Sequence, residues 1–355
     1  MPFRGWARWN LRSRLLLPLL FTDSSPLDLR IVGRTLLHAA LVGLASGLVG
    51  AAFFAGVEYT QNLLLEGLAG YVPLRARGER FAAAIHPSTF KPWLLVLLPA
   101  LGGLLCGLLT QLAPEARGGG GDAMIEAFHH KGGAIRARVI WVKALASLCT
   151  LATGGAGGRE GPTMQIGGAL GSAVGRVLRV SARERRILLV AGVAAGISAV
   201  FRTPLGAALL AVEILYRDGF ESDALIPAVL ASVVSYSVVI SIYGESTLLA
   251  HSARYPFVPA HLPLYALLAL GVAGLAATFV SVLGGMRRSF ARLRLPIWAR
   301  PALGGLLLGG LVTPLVMLVG IHTGAQGQGL GLLGGGYGAV QVAISGSPWL
   351  PSDWG

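Results

Sequence analysis

The chain has 355 residues, of which 54% are apolar and 13% charged, and its mean hydropathy is +0.67. So few charges cannot cover a water-soluble globule of this size, which leaves an all-α membrane protein in contact with lipid. The formal charge of +13 does not indicate a nucleic-acid partner, because the arginines lie between apolar runs and not on one aromatic-studded face.

Residues 1–30 form a basic segment whose leucine run at 15–20 is too short to span a bilayer and lacks a small-residue cleavage site, so an interfacial, cytoplasmic helix is expected there. Apolar runs follow at 31–59, 92–112, 224–243, 262–285 and 301–319, near the roughly 20 residues that cross a bilayer core as helix. With the N-terminus in the cytoplasm, the basic loops fall mostly inside: Lys131, Arg136, Arg138 and Lys143 after the second span, then 176–186 and 287–300. Arg75, Arg77, Arg80 and Lys91 fall on the other side and disagree. Cys106 and Cys149 sit in apolar segments where packing accounts for them, so neither a disulfide framework nor a metal site is indicated, and no cofactor is expected.

Full-length spans alternate with short apolar pieces at 123–129, 163–177, 186–199 and 205–215, separated by Gly or Pro. Broken backbone at membrane depth must be buried in protein or line a cavity, and interrupted helices build ion pathways. A decapeptide starting at Pro99 recurs, nearly unchanged, from Pro301. It reads either as a duplication, with a first repeat at 31–243 and a partial second repeat at 262–355, or as a chance match of Leu-Gly-rich helices.

Two breaks can carry chemistry. In the first, Arg159 and Glu160 lie between apolar helices, where an ionisable residue needs a pathway or a partner. Pro162 suits the first turn of the helix that follows, whose N-terminus points unpaired N–H groups and a positive dipole end at the break. Glu160 is then a tethered anion competing with a diffusible one for those N–H groups, or the helix-starting carboxylate of a solvated turn. In the second break, Gly118, Gly119, Gly120 and Gly121 allow close backbone approach to a ligand. The alternative there is a flexible cytoplasmic loop with Asp122 as N-cap.

The string Gly158-Arg159-Glu160-Gly161-Pro162 resembles the second signature of the CLC family of chloride channels and chloride/proton exchangers. Pro114-Glu-Ala before the glycine run, Phe201-Arg-Thr-Pro204-Leu-Gly and Val212-Glu213 resemble that family in order and spacing, over roughly 31–345. The resemblance implies an inverted two-repeat fold in the plasma (inner) membrane and a homodimer with one path per subunit for chloride or another small anion. Glu160 takes the external gating role, and Gly118, Gly119, Gly120, Gly121, Gly158, Arg159 and Gly161 form the anion-binding set.

Three departures from the family pattern qualify these expectations. Gly119 stands where the family has an anion-contacting serine and Asp122 where it has proline. A lost hydroxyl donor is worth about 1 kcal/mol, which bears on anion preference. Ile214 stands where exchangers carry a second, proton-accepting glutamate after Glu213, which implies channel-like conduction and leaves Glu213 a structural carboxylate. The family's Gly-x-Phe-x-Pro signature and its late anion-contacting tyrosine are absent, so the second repeat is expected to be incomplete. Gly329-Leu-Gly331-Leu-Leu-Gly334 has dinucleotide-loop spacing without the preceding strand. The rivals are a non-conducting partner subunit of a CLC-type assembly and a membrane-embedded enzyme using Arg159, Glu160 or His129-His130. Metalloprotease, nucleophile-elbow and P-loop spacings are missing, so the chain is expected not to be an enzyme.

Overall fold

The computed structural model describes residues 26–79, 88–245, 247–249 and 257–346. The expected interfacial helix at 15–20, and Arg80, lie outside the described residues. The described chain is helical, in the order α1 (Pro26–Gln61, continued by a π-helical turn Asn62–Leu68), α2 (Pro92–Leu112), α3 (Gly121–His130), α4 (Arg138–Ala152), α5 (Glu160–Val177) and α6 (Ala182–Phe201). Then come α7 (Pro204–Glu213), α8 (Ser222–Tyr243), α9 (Leu262–Arg292), α10 (Arg300–Thr323) and α11 (Tyr337–Ser345). Five of these elements are long and apolar enough to cross a membrane: Gly33–Leu68, Pro92–Leu112, Ser222–Tyr243, Pro259–Arg292 and Arg300–His322.

Local chemistry sets the boundaries. Ser181 caps α6, its hydroxyl accepting from the Glu184 N–H at 3.2 Å. Arg202 ends that helix in the left-handed region, φ 55°. Thr203 and then Pro204, which suits a first turn, start α7. The Glu184 carboxylate accepts from Arg34 and pairs with His38 at 2.8 Å, tying α6 to α1 at one end of the bundle.

At the centre, α6 is buried almost continuously from Leu188 to Val200, as expected of a helix surrounded by protein. It crosses α5 through glycine: a β-carbon on Gly167 would collide with the Gly192 carbonyl, and one on Gly192 with that of Gly167. Small residues at such crossings let helix backbones come close where lipid offers no competing hydrophobic drive. At the other extreme, α9 has no buried residue.

The repeated decapeptides pack on each other. A β-carbon on Gly103 of α2 would collide with the Pro301 carbonyl, and one on Gly305 of α10 with the Pro99 carbonyl. Gly107 likewise abuts Trp298 and Gly309 abuts Val96, so the two helices run antiparallel. Equivalent positions thus contact each other reciprocally, the pattern of a two-fold-related pair.

Two expectations about charge are corrected. Lys143 is not in a basic loop: α4 starts at Arg138, and Lys143 is buried within it, 3% exposed. Arg75, which disagreed with the assigned topology, is not a free loop charge. It pairs with Glu66 at 2.8 Å and points at Glu58, 3.9 Å away, so internal carboxylates and not the membrane potential hold it.

Candidate functional site

The two glycine breaks meet. α3 begins after Gly120 (φ 106°), α5 begins at Glu160, and a β-carbon on Gly120 would lie 2.6 Å from the Gly161 carbonyl oxygen. The converse substitution, at Gly161, would collide with the Gly119 carbonyl. Only residues without side chains allow this approach, which brings two helix N-termini, and the N–H groups they leave unpaired, to one place. Asp122 does not cap α3. The N-cap is Gly120, and Asp122 sits exposed in the first turn.

A cavity of about 670 Å³ opens on this junction. Gly118, Gly119, Gly158, Glu160 and Gly161 contribute to its wall, together with Lys143. Arg117, Arg287 and Arg300 add positive charge, and Glu160 is the one carboxylate among the lining residues. A cleft with charge of one sign and low-dielectric walls concentrates counter-ions, here anions. Lys143 Nζ also donates to the carbonyls of Ala116 (3.1 Å) and Gly118 (2.7 Å), so a buried ammonium anchors the segment entering the glycine run at 118–121.

Glu160 lines a second cavity as well, of about 460 Å³, with Phe201, Arg202 and Leu248. Its carboxylate folds back over Gly158, where any β-carbon would collide with Oε2. Oε1 accepts a hydrogen bond from the Tyr337 hydroxyl at 2.9 Å.

Arg159 departs from the anion-binding set. Its side chain is 3% exposed and is not among the residues lining either cavity. The guanidinium donates to Glu58 at 2.6 Å, pairs with Glu79 at 2.9 Å and lies over the Phe54 ring, 4.9 Å from its centroid. Three carboxylates (Glu58, Glu66, Glu79) and two guanidiniums (Arg75, Arg159) thus form one buried cluster beside Glu160. The reason is desolvation: a buried guanidinium must be paired.

At the end of α7, Glu213 is exposed and Ile214 packs against the core cluster of Val212 and Leu215. His129 Nε2 lies 2.9 Å from the Leu215 carbonyl, and His129 and His130 are both exposed.

Several residues of the site escaped sequence reasoning. Glu58 and Glu66 had a usable signal, carboxylates inside the first apolar span. Tyr337 had only its place after the glycines 334–336. The stretch before it, with dinucleotide-like spacing, instead docks on the first break: Gly157 N–H donates to the Gly334 carbonyl at 3.2 Å, and Gly334 N–H to that of Gly154 at 3.3 Å. Backbone pairing therefore joins the second half to the break at 154–158.

Broken helices whose N-termini converge on a cation-lined cavity at the meeting of two halves define a polytopic membrane protein of the ion-pathway class. Over residues 102–353 the chain matches the family described as voltage gated chloride channel, and it belongs to that family, the CLC family its signatures resemble. It is 31% identical over 339 residues to the H(+)/Cl(-) exchange transporter ClcA of Yersinia pestis bv. Antiqua (strain Angola), a match covering 95% of this chain and 65% of the relative. The chain therefore spans just under two thirds of that relative's length. Among solved structures, a slow cyanobacterial Cl-/H+ antiporter superposes with a TM-score of 0.69 at 25% identity, over 89% of this chain and 68% of the other. A CLC-type fluoride/proton antiporter shares the fold, with a TM-score of 0.65 at 21% identity, over 92% of this chain and 85% of the other.

Proposed function

We propose that the chain moves chloride or a similar small anion across the membrane, in a channel-like manner and without catalysing a reaction. The backbone N–H groups of 118–121 and of 158 and 161 act as anion ligands and Glu160 as the gate. The observation that supports this best is the position of one ionisable side chain, Glu160, on the walls of both cavities at the junction of the breaks. A carboxylate there competes with a diffusible anion for helix N-termini, and protonating it removes the competitor. The homodimer implied by the family resemblance is part of this reading.

The test is chloride efflux from vesicles containing the purified chain. Glu160→Gln raises the flux and flattens its pH dependence; no change in either overturns the gate. Ile214 carries the channel-like part, since its side chain has no proton to exchange. A chloride gradient therefore drives no proton uptake, and measurable uptake would return the chain to the exchangers.

A further inference from the structure

We infer that Tyr337 is a latch that holds the Glu160 carboxylate over Gly158 and away from the N–H groups of 118–121 and 161, so that a residue of the second half sets how often the gate is clear. The inference rests on the reading of Glu160 as gate and adds to it a positioning residue.

Among the described residues, the Tyr337 hydroxyl is the one donor that reaches the Glu160 carboxylate, at 2.9 Å. The same hydroxyl accepts from the Arg159 backbone N–H at 3.3 Å, so both of its hydrogen-bonding roles are taken by the break itself. The ring is held from two sides: Phe201 meets it edge-on at 6.0 Å, and the Arg159 guanidinium lies 5.5 Å from its centroid. That guanidinium is in turn fixed by Glu58 and Glu79. The backbone is fixed as well. Gly336 (φ 73°) turns the chain into α11 with Tyr337 as its first residue, and the two hydrogen bonds at Gly334 clamp the preceding glycines onto 154–157.

Such an arrangement has a direct consequence for a tethered anion. An ionised carboxylate held by Tyr337 covers Gly158 alone of the proposed ligands and leaves the N–H groups of 118–121 and 161 for a diffusible ion. Without the hydroxyl the carboxylate loses a hydrogen bond to a charged group, a contribution of about 1.5–3 kcal/mol, and redistributes toward those N–H groups. The gate then closes more often. Removing one oxygen by Tyr337→Phe keeps the ring contacts with Phe201 and Arg159.

The experiment is a double-mutant cycle on chloride efflux from vesicles at neutral pH, with wild type, Tyr337→Phe, Glu160→Gln and the double variant. The expected result is a flux about tenfold lower in Tyr337→Phe than in wild type, and equal fluxes in Glu160→Gln and the double variant. A latch has nothing to act on once the carboxylate is gone, whereas structural damage lowers flux in both backgrounds. Equal losses in both backgrounds, or no loss in Tyr337→Phe while Glu160→Gln raises flux, overturn the latch and leave the gate standing. If Glu160→Gln itself leaves flux unchanged, the gate falls and the latch with it.

Discussion

Arg159 and Glu58 form a buried ion pair, Nη2 to Oε1 at 2.6 Å, between the N-cap of α5 and the membrane-spanning α1. The pair anchors the residue next to Glu160 to a helix 101 positions away in sequence. Breaking one partner of such a pair costs about 3–5 kcal/mol, because the other charge is left uncompensated. Arg159→Met leaves Glu79 without a guanidinium and Glu58 with Arg75 alone, 3.9 Å away, whereas Glu58→Gln leaves Arg159 with Glu79. The arginine variant is therefore the more destabilised of the two. Thermal unfolding of the purified variants in detergent, read as loss of the main size-exclusion peak, gives the order.

The two breaks make opposite predictions for small additions. A β-carbon on Gly119 meets nothing within 4 Å, so Gly119→Ser folds as the parent does and adds a hydroxyl donor to the cavity wall. Chloride binding tightens severalfold, in line with about 1 kcal/mol for a hydrogen bond. Gly161→Ala drives a methyl into the Gly119 carbonyl and separates the two helix ends. Its chloride binding, measured by titration calorimetry, is lost. Similar affinities for the two variants would show that the junction is not the binding site.

Lys143 joins α4 to the carbonyls of Ala116 and Gly118. Lys143→Met keeps the apolar stem and removes the ammonium, with a loss of about 1.5–3 kcal/mol for each hydrogen bond to a charged group. The variant is less stable and binds chloride more weakly than the parent. Stability lost without any change in chloride affinity would make the lysine a structural anchor only.

Glu115, beside the glycine run at 118–121, accepts hydrogen bonds from Arg136. That contact, more than any other influence, holds its carboxyl below the ordinary range, against the smaller opposing effect of burial. The unfolded chain, titrating near an unperturbed value of about 4.3, binds the proton more readily. The stabilisation is therefore complete above that value and is lost as pH falls through the lower, folded one. Unfolding temperatures of the parent and of Arg136→Gln differ at pH 7 and converge in acid. A gap that persists undiminished as the solution is acidified contradicts this account.

The sequence by itself determined what kind of molecule this is. Its apolar runs matched α2 from end to end and α1, α8, α9 and α10 to within a few residues of one or both ends, because lipid requires long stretches without charge. The signature around Glu160 placed the start of α5, since Pro162 and the glycines before it carry their backbone preferences locally. The tertiary structure decided which charges face the cavity and which are paired within the fold. Arg159 and Lys143 read alike as cations near a break or loop, yet one is consumed by Glu58 and Glu79 and the other lines the cavity. Nothing within a few residues of either distinguishes them, because the deciding partners lie on other helices. Tyr337 is the extreme case: 177 positions from Glu160, it reaches that carboxylate through the pairing of Gly334 with Gly154 and Gly157.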